Sequence, residues 1–200
     1  MSVLVNKQVP DFTAAAVLGS GEIVDNYSFS AATKGKYAVV FFYPLDFTFV
    51  CPSELIAFDN RLEEFKSRNV EVIGVSIDSQ FTHSAWRNTP VEKGGIGHVG
   101  YTLVADIKHD IVKAFDVEHA DGVALRGTFL IDKNGVVQHQ VVNNLPLGRD
   151  IDELLRVVDA LQFTEQHGEV CPAGWTKGKK GMKADAAGVA AYLATEAAAL

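Results

Sequence analysis

Tyr37-Ala38-Val39-Val40-Phe41-Phe42-Tyr43 is the stretch from which the fold can be read. It is a continuous run of β-branched and aromatic residues without polar alternation, the pattern of a strand covered on both faces. Such strands belong to sheets with helices packed on either side. The next segment agrees. Leu55, Phe58, Leu62 and Phe65 recur at helical spacing, while Glu63 and Glu64 can face solvent, so Pro52 to Ser67 predicts an amphipathic helix.

Outward from there, strands and helices alternate. Val70 to Ile77 reads as a strand, Phe81 to Arg87 as a short helix, Tyr101 to Ala105 as a strand and Asp110 to Phe115 as one or two helical turns. Gly127 to Ile131 and Val136 to Val142 flank Asp132-Lys133-Asn134-Gly135, whose Asn-Gly step signals a hairpin. A last core helix is expected from Asp150, with Asp150 and Glu153 at capping-box spacing and Leu154, Leu155, Val158 and Leu161 inward. These units predict an α/β fold with a mixed sheet. From about Gly168 the composition turns to glycine, lysine and then alanine. The expectation is therefore a domain over 1–167 and a C-terminal arm over 168–200. Alanine favours a helix near Ala184 to Leu200 but gives it little apolar surface.

Composition excludes several classes. The net charge of −7 opposes a nucleic-acid partner, which needs a basic surplus or patch. No stretch approaches the ~18 consecutive apolar residues of a membrane helix. Met1 to Pro10 shows no secretory signal, so a cytoplasmic location is expected. The two cysteines, Cys51 and Cys171, lie far apart and form no C-x-x-C, so neither a thioredoxin-type redox motif nor a zinc half-site is written locally.

Cys51 falls where the buried strand gives way to the helix. Pro52 suits a first helical position, because its missing N–H would be unpaired there anyway. The sulfur is thus expected at a helix N-terminus, where free backbone N–H groups and the helix dipole favour a thiolate. An isolated cysteine in an apolar stretch often only packs. Here Pro44, Thr48 and Cys51 form P-x-x-x-T-x-x-C, and a hydroxyl three residues ahead can fold back onto the sulfur or a bound substrate.

The segment Phe42-Tyr43-Pro44-Leu45-Asp46-Phe47-Thr48-Phe49-Val50-Cys51-Pro52-Ser53-Glu54 resembles the active-site signature of peroxiredoxins. Glu169-Val170-Cys171-Pro172-Ala173-Gly174-Trp175 resembles the resolving-cysteine segment of their typical two-cysteine class. The resemblance implies a thioredoxin-like fold, with a mixed central sheet flanked by helices plus the C-terminal arm, and a thiol peroxidase that needs no metal or organic cofactor. It implies Cys51 as the peroxidatic cysteine, Cys171 as the resolving one, Thr48 as the residue that orients the peroxide and Pro44 as the shield of the thiolate. It also implies Arg126 as the arginine beside the sulfur and Glu54 as the acid that holds the pocket's arginines. The substrate would be a hydroperoxide. The partners would be thioredoxin or a flavoprotein disulfide reductase, and a second subunit in a homodimer, assembled as a decamer of five dimers. Trp86 occupies a family position but is expected to serve the core.

Rival readings are a cysteine hydrolase, a zinc site and a chaperone-like or redox-signalling assembly. A hydrolase needs a histidine base and an orienting partner, and none of the six histidines lies in such a motif. His83 is expected to be a surface or packing residue. A zinc site lacks ligand spacing.

Overall fold

The computed structural model describes residues 2–200, without the side chain of residue 199. By contacts the chain divides into two compact units, Met1–Ile151 and Asp152–Leu200.

The first unit is built on one seven-stranded mixed sheet in the order β2-β1-β5-β4-β3-β6-β7. Its strands are β1 (Thr13–Val17), β2 (Ile23–Ser28), β3 (Tyr37–Phe42), β4 (Val70–Ser76), β5 (Thr102–Ala105), β6 (Arg126–Ile131) and β7 (Val137–Asn143). β3, β4 and β5 run parallel, and the outer pairings are antiparallel. Every residue of β3 is buried, as its continuous apolar run requires. Its two faces meet different partners. Phe42 packs against Phe115 and Phe129, whereas Phe41 stacks on Phe58 at 4.1 Å and meets Tyr101 edge-on.

The helices are α1 (Phe29–Ala32), α2 (Cys51–Asn60), α3 (Leu62–Ser67), α4 (Gln80–Arg87) and α5 (Asp110–Ala114). The helix expected over 52–67 is therefore two helices. Arg61, at φ −111° and ψ 8°, closes α2 and opens α3. Leu55, Phe58, Leu62 and Phe65 are nonetheless all buried, because the break preserves the apolar face. No glycine or proline marks it. Strands β1 and β2 lie outside the elements predicted from sequence. The Ala14-Ala15-Ala16 core of β1 has little intrinsic strand preference, and pairing with β2 and β5 overrides it.

The β6–β7 turn is of a particular kind. Only Gly135 is left-handed (φ 79°), and the Asp132 carboxylate accepts from the N–H groups of Asn134 and Val136. This is a type I turn closed by a glycine bulge.

Helix α6 (Ile151–His167), in the second unit from Asp152 on, runs to the compositional break, where Gly168 adopts φ 66° and its N–H returns to Thr164 O. That is a glycine helix stop. Val170 and Met182 then pair antiparallel and close off the intervening loop. The helix expected near Ala184 to Leu200 is α7 (Ala186–Glu196), with the Asp185 carboxylate accepting from Gly188 N–H at its start. None of its residues is buried. Among the described residues, no helix is long and apolar enough to cross a membrane.

The loop after α4 is tied down by backbone contacts. Trp86, fully buried, donates its indole N–H to Gly94 O at 2.9 Å, and a Cβ on Gly95 would stand 1.9 Å from Thr89 O. Gly95→Ala is therefore expected to destabilise the protein by about 1–3 kcal/mol, the usual cost of forced overpacking. Gly35→Ala meets open space at φ +72° and should cost about 1–2 kcal/mol from backbone strain alone. Urea midpoints at constant slope compare the two, with loss of the native loop expected only for Gly95.

Candidate active site

β3 ends at Phe42, and the chain continues through buried Tyr43 and Pro44 into a loop that delivers Cys51 as the first residue of α2. Val50 is the N-cap and Pro52 follows the sulfur. Proline is tolerated here because the first-turn N–H groups have no partner within the helix. Cys51 is completely buried.

Two donors reach the sulfur. Thr48 Oγ1 lies 3.1 Å from Cys51 Sγ and 2.8 Å from Leu45 O. One hydroxyl proton serves both acceptors, so the hydroxyl can donate to a thiolate or, rotated to Leu45, accept from a thiol. The second donor is Arg126, the first residue of β6, whose Nη1 is 3.4 Å from Sγ. Its Nε donates to Leu145 O at 2.7 Å.

Glu54 lies one turn beyond Cys51 on α2 and is equally buried. Its carboxylate pairs with Arg126. It also takes a bidentate pair from Arg149, Nε to Oε1 at 2.9 Å and Nη2 to Oε2 at 3.0 Å, with the Arg149 backbone N–H at 3.1 Å. Arg149 Nη1 reaches Phe42 O and Gly127 O, and the guanidinium lies over the Phe41 ring. One buried carboxylate thus serves two buried guanidiniums. The excess of one positive charge faces the sulfur.

Thr48, Arg126, Glu54 and Cys51 therefore come together. Pro44 is buried at the start of the same loop, where it contributes no N–H. Arg149 was not named from the sequence. It sits in Leu147-Gly148-Arg149-Asp150, which carries no motif, and the one available signal was the expectation that Glu54 holds more than one arginine, of which the sequence identified Arg126 alone.

In the second unit, half-buried Cys171 Sγ lies 3.5 Å from Ala160 O and 3.7 Å from Thr164 Oγ1, both on α6. Its loop is anchored by Trp175, buried against Phe163 at 4.7 Å. Trp175 donates to Lys179 O and accepts from Arg156 Nη1. Both cysteines are free thiols.

The profile of the AhpC/TSA family matches residues 5–140, and that of the C-terminal domain of 1-Cys peroxiredoxin matches residues 160–195. The chain belongs to the AhpC/TSA family. It is 57% identical over 191 residues to alkyl hydroperoxide reductase C of Helicobacter pylori, covering 96% of each chain. It is 50% identical over 182 residues to peroxiredoxin-1 of Gallus gallus, covering 90% of each. The structure of the reduced 2-Cys peroxiredoxin of Plasmodium vivax superposes with a TM-score of 0.93 at 50% identity, over 97% of this chain and all of that one. The thioredoxin-like peroxiredoxin fold expected from the sequence is the fold observed, and the thiol-dependent peroxidase reading agrees with these relatives.

Breaking a buried ion pair leaves an uncompensated charge and typically costs about 3–5 kcal/mol. Glu54→Gln, which leaves two guanidiniums without their carboxylate, is expected to lose stability in that range. Arg149→Lys should lose about 1–3 kcal/mol, since an ammonium cannot reproduce the fork on Glu54 together with the two carbonyl contacts. Denaturant unfolding of both variants checks the order.

Proposed function

We propose that the chain reduces hydroperoxides through Cys51 and is recycled through Cys171. The observation that carries this reading is the convergence of Thr48 Oγ1 and Arg126 Nη1 on one buried sulfur. Attack by the Cys51 thiolate forms an S–O bond as the peroxide O–O bond breaks. Negative charge develops on the leaving oxygen, which departs as water or an alcohol after taking a proton. Fixed donors aimed at such charge are the largest single contribution in many enzymes. Arg126 and Thr48 would supply them, Glu54 and Arg149 would hold Arg126 in place, and Pro44 would keep competing donors away.

The product is a sulfenic acid, which condenses with a thiol to a disulfide and releases water. Cys51 is completely buried, so a second thiol reaches it only if the first turn of α2 opens locally. Cys171 is proposed as that thiol, contributed by a second subunit of a homodimer. Two electrons from a dithiol, of thioredoxin or of a flavoprotein disulfide reductase, would restore both cysteines, so no bound metal or organic cofactor takes part. Assembly into a decamer and a cytoplasmic location complete the proposal. A chaperone-like assembly with peroxidase activity secondary is not favoured by the relatives.

Cys51→Ser should abolish thiol-dependent peroxide consumption, since an alcohol is a far poorer nucleophile at neutral pH. Cys171→Ser should consume about one peroxide per site, the stoichiometry of one thiolate oxidation, and then stop with a thioredoxin-type reductant. Full turnover by Cys171→Ser would sink the resolving role.

The linkage has its own readout. Peroxide-treated protein should run as a dimer on a non-reducing gel, and either Cys→Ser change should remove that band. Peptide mapping that found the disulfide within one chain would overturn the two-subunit scheme.

A further inference from the structure

Thr48 reaches the sulfur from a loop that is unusual at its centre. Phe47, the residue before it, is half-exposed and left-handed at φ 55°. A bulky residue in that region is a genuine outlier, and such strain persists only where the surroundings impose it. The ring of Phe47 rests 5.8 Å from that of Trp86, a contact too loose to dictate the backbone. The constraint lies one residue earlier.

Asp46 is buried, and both its carboxylate oxygens and its backbone N–H have partners. Its Oδ1 accepts from the Tyr43 hydroxyl at 2.9 Å, its Oδ2 lies 2.8 Å from His83 Nδ1, and its backbone N–H donates to Asp78 Oδ2 at 2.9 Å. His83, on α4, has no exposed surface. Its Nε2 is 3.2 Å from Val104 O, an acceptor only, so Nε2 carries a proton. A single proton is then shared between Nδ1 and Oδ2. The groups facing the pair are Tyr43 from the end of β3, Asp78 and Ser76 beyond and within β4, and the Val104 carbonyl of β5. Burial pushes both the Asp46 carboxyl and the Tyr43 phenol up, and the contacts among Tyr43, Asp46 and His83 form a fully buried hydrogen-bonded clasp.

We propose that Asp46 and His83 are positioning residues for peroxide reduction: their clasp pins the loop before Phe47, imposes the left-handed turn, and so aims the Thr48 hydroxyl at Cys51. The proposal rests on the peroxidase reading given above. It adds a second anchor to the site. Glu54 and its arginines fix the side of the pocket behind the sulfur, and the Asp46–His83 clasp fixes the loop in front. An asparagine at position 46 could make the same contacts, donating to His83 Nδ1 and accepting from Tyr43, without an ionisable group. An alanine could make none of them.

The test is a double-mutant cycle between Asp46→Ala and Thr48→Val, read as the rate of Cys51 oxidation by hydrogen peroxide in single turnover, on the pH plateau of that rate. Residues acting through one another give non-additive losses. Each single change is expected to slow oxidation by about tenfold or more, and the double mutant to be about as slow as the slower single. Alkylation of Cys51 by iodoacetamide needs no oriented hydroxyl and should change by less than about threefold in all three. Asp46→Asn should recover most of the loss. Multiplicative losses in the cycle, or equal losses in oxidation and alkylation, would overturn the proposal by showing that the clasp only supports the fold. Should Asp46→Ala fail to fold, His83→Gln enters the same cycle with the same expectations. Failure of the peroxidase reading is separate, because wild-type protein would then show no Cys51-dependent peroxide consumption at all.

Discussion

The Glu54 carboxylate, shut between the guanidiniums of Arg126 and Arg149, is the constraint around which the first unit is arranged. Taking three charges out of water costs several kcal/mol per ion, even after relaxation. The structure offsets that cost with geometry. Glu54 receives a bidentate fork and a backbone N–H from Arg149, and a further charged donor from Arg126. Arg149 directs Nη1 to the carbonyls of Phe42 and Gly127, at the neighbouring ends of β3 and β6. One network therefore joins α2, two central strands and the segment before α6. Any shift of α2 would strand a charge.

That rigidity has a use in the proposed reaction. The network leaves one positive charge in excess beside the sulfur, and it comes with Arg126 already aimed. A donor that must reorganise at the moment of reaction loses much of its value, whereas one fixed in a dry pocket keeps it. Arg126 is held by Glu54 on one nitrogen and by Leu145 O on another, so its approach to Sγ is set before any substrate arrives. An exposed lysine could supply the same charge but not this direction.

The sequence showed the parts of this arrangement that are local. The uninterrupted run of β3 announced a two-sided strand, and Pro52 announced a helix start at Cys51. The spacing of Leu55, Phe58, Leu62 and Phe65 survived a helix break at Arg61 that nothing in the sequence marks. What stayed hidden depends on distant partners. β1 is Ala-rich and becomes a strand only by pairing on both sides. Arg149 sits in an ordinary loop nearly a hundred residues from Glu54, and its role exists only once β3 and β6 are neighbours. His83 could be placed no more closely than surface or core, because its meaning depends on Asp46 across the fold. Cys51, Thr48 and Glu54 were legible because the motif they resemble lies within a few residues, and Arg126, 75 residues from Cys51, because its own short segment Leu125-Arg126-Gly127-Thr128 matches the family.

The start of α2 carries an asymmetry that the proposed chemistry would use. Helices α4 and α7 begin with side-chain caps, Ser79 and Asp185, whose oxygens take a first-turn N–H. Helix α2 has Val50 as its N-cap, which offers no side-chain acceptor, and Pro52 removes one donor rather than satisfying it. A missing cap is worth about 1 kcal/mol to a helix end. The pocket is thus firm behind the sulfur, at Glu54, and in the loop that carries Asp46, while the first turn of α2 itself, at Val50 and Cys51, has no side-chain cap. In the proposed cycle the sulfur is enclosed to meet peroxide and uncovered to meet a thiol, and that cycle calls for such a division. Stiffening the first turn with a capping residue would favour the enclosed state, and loosening Glu54 would damage both states, because the arginines would lose the group that aims them.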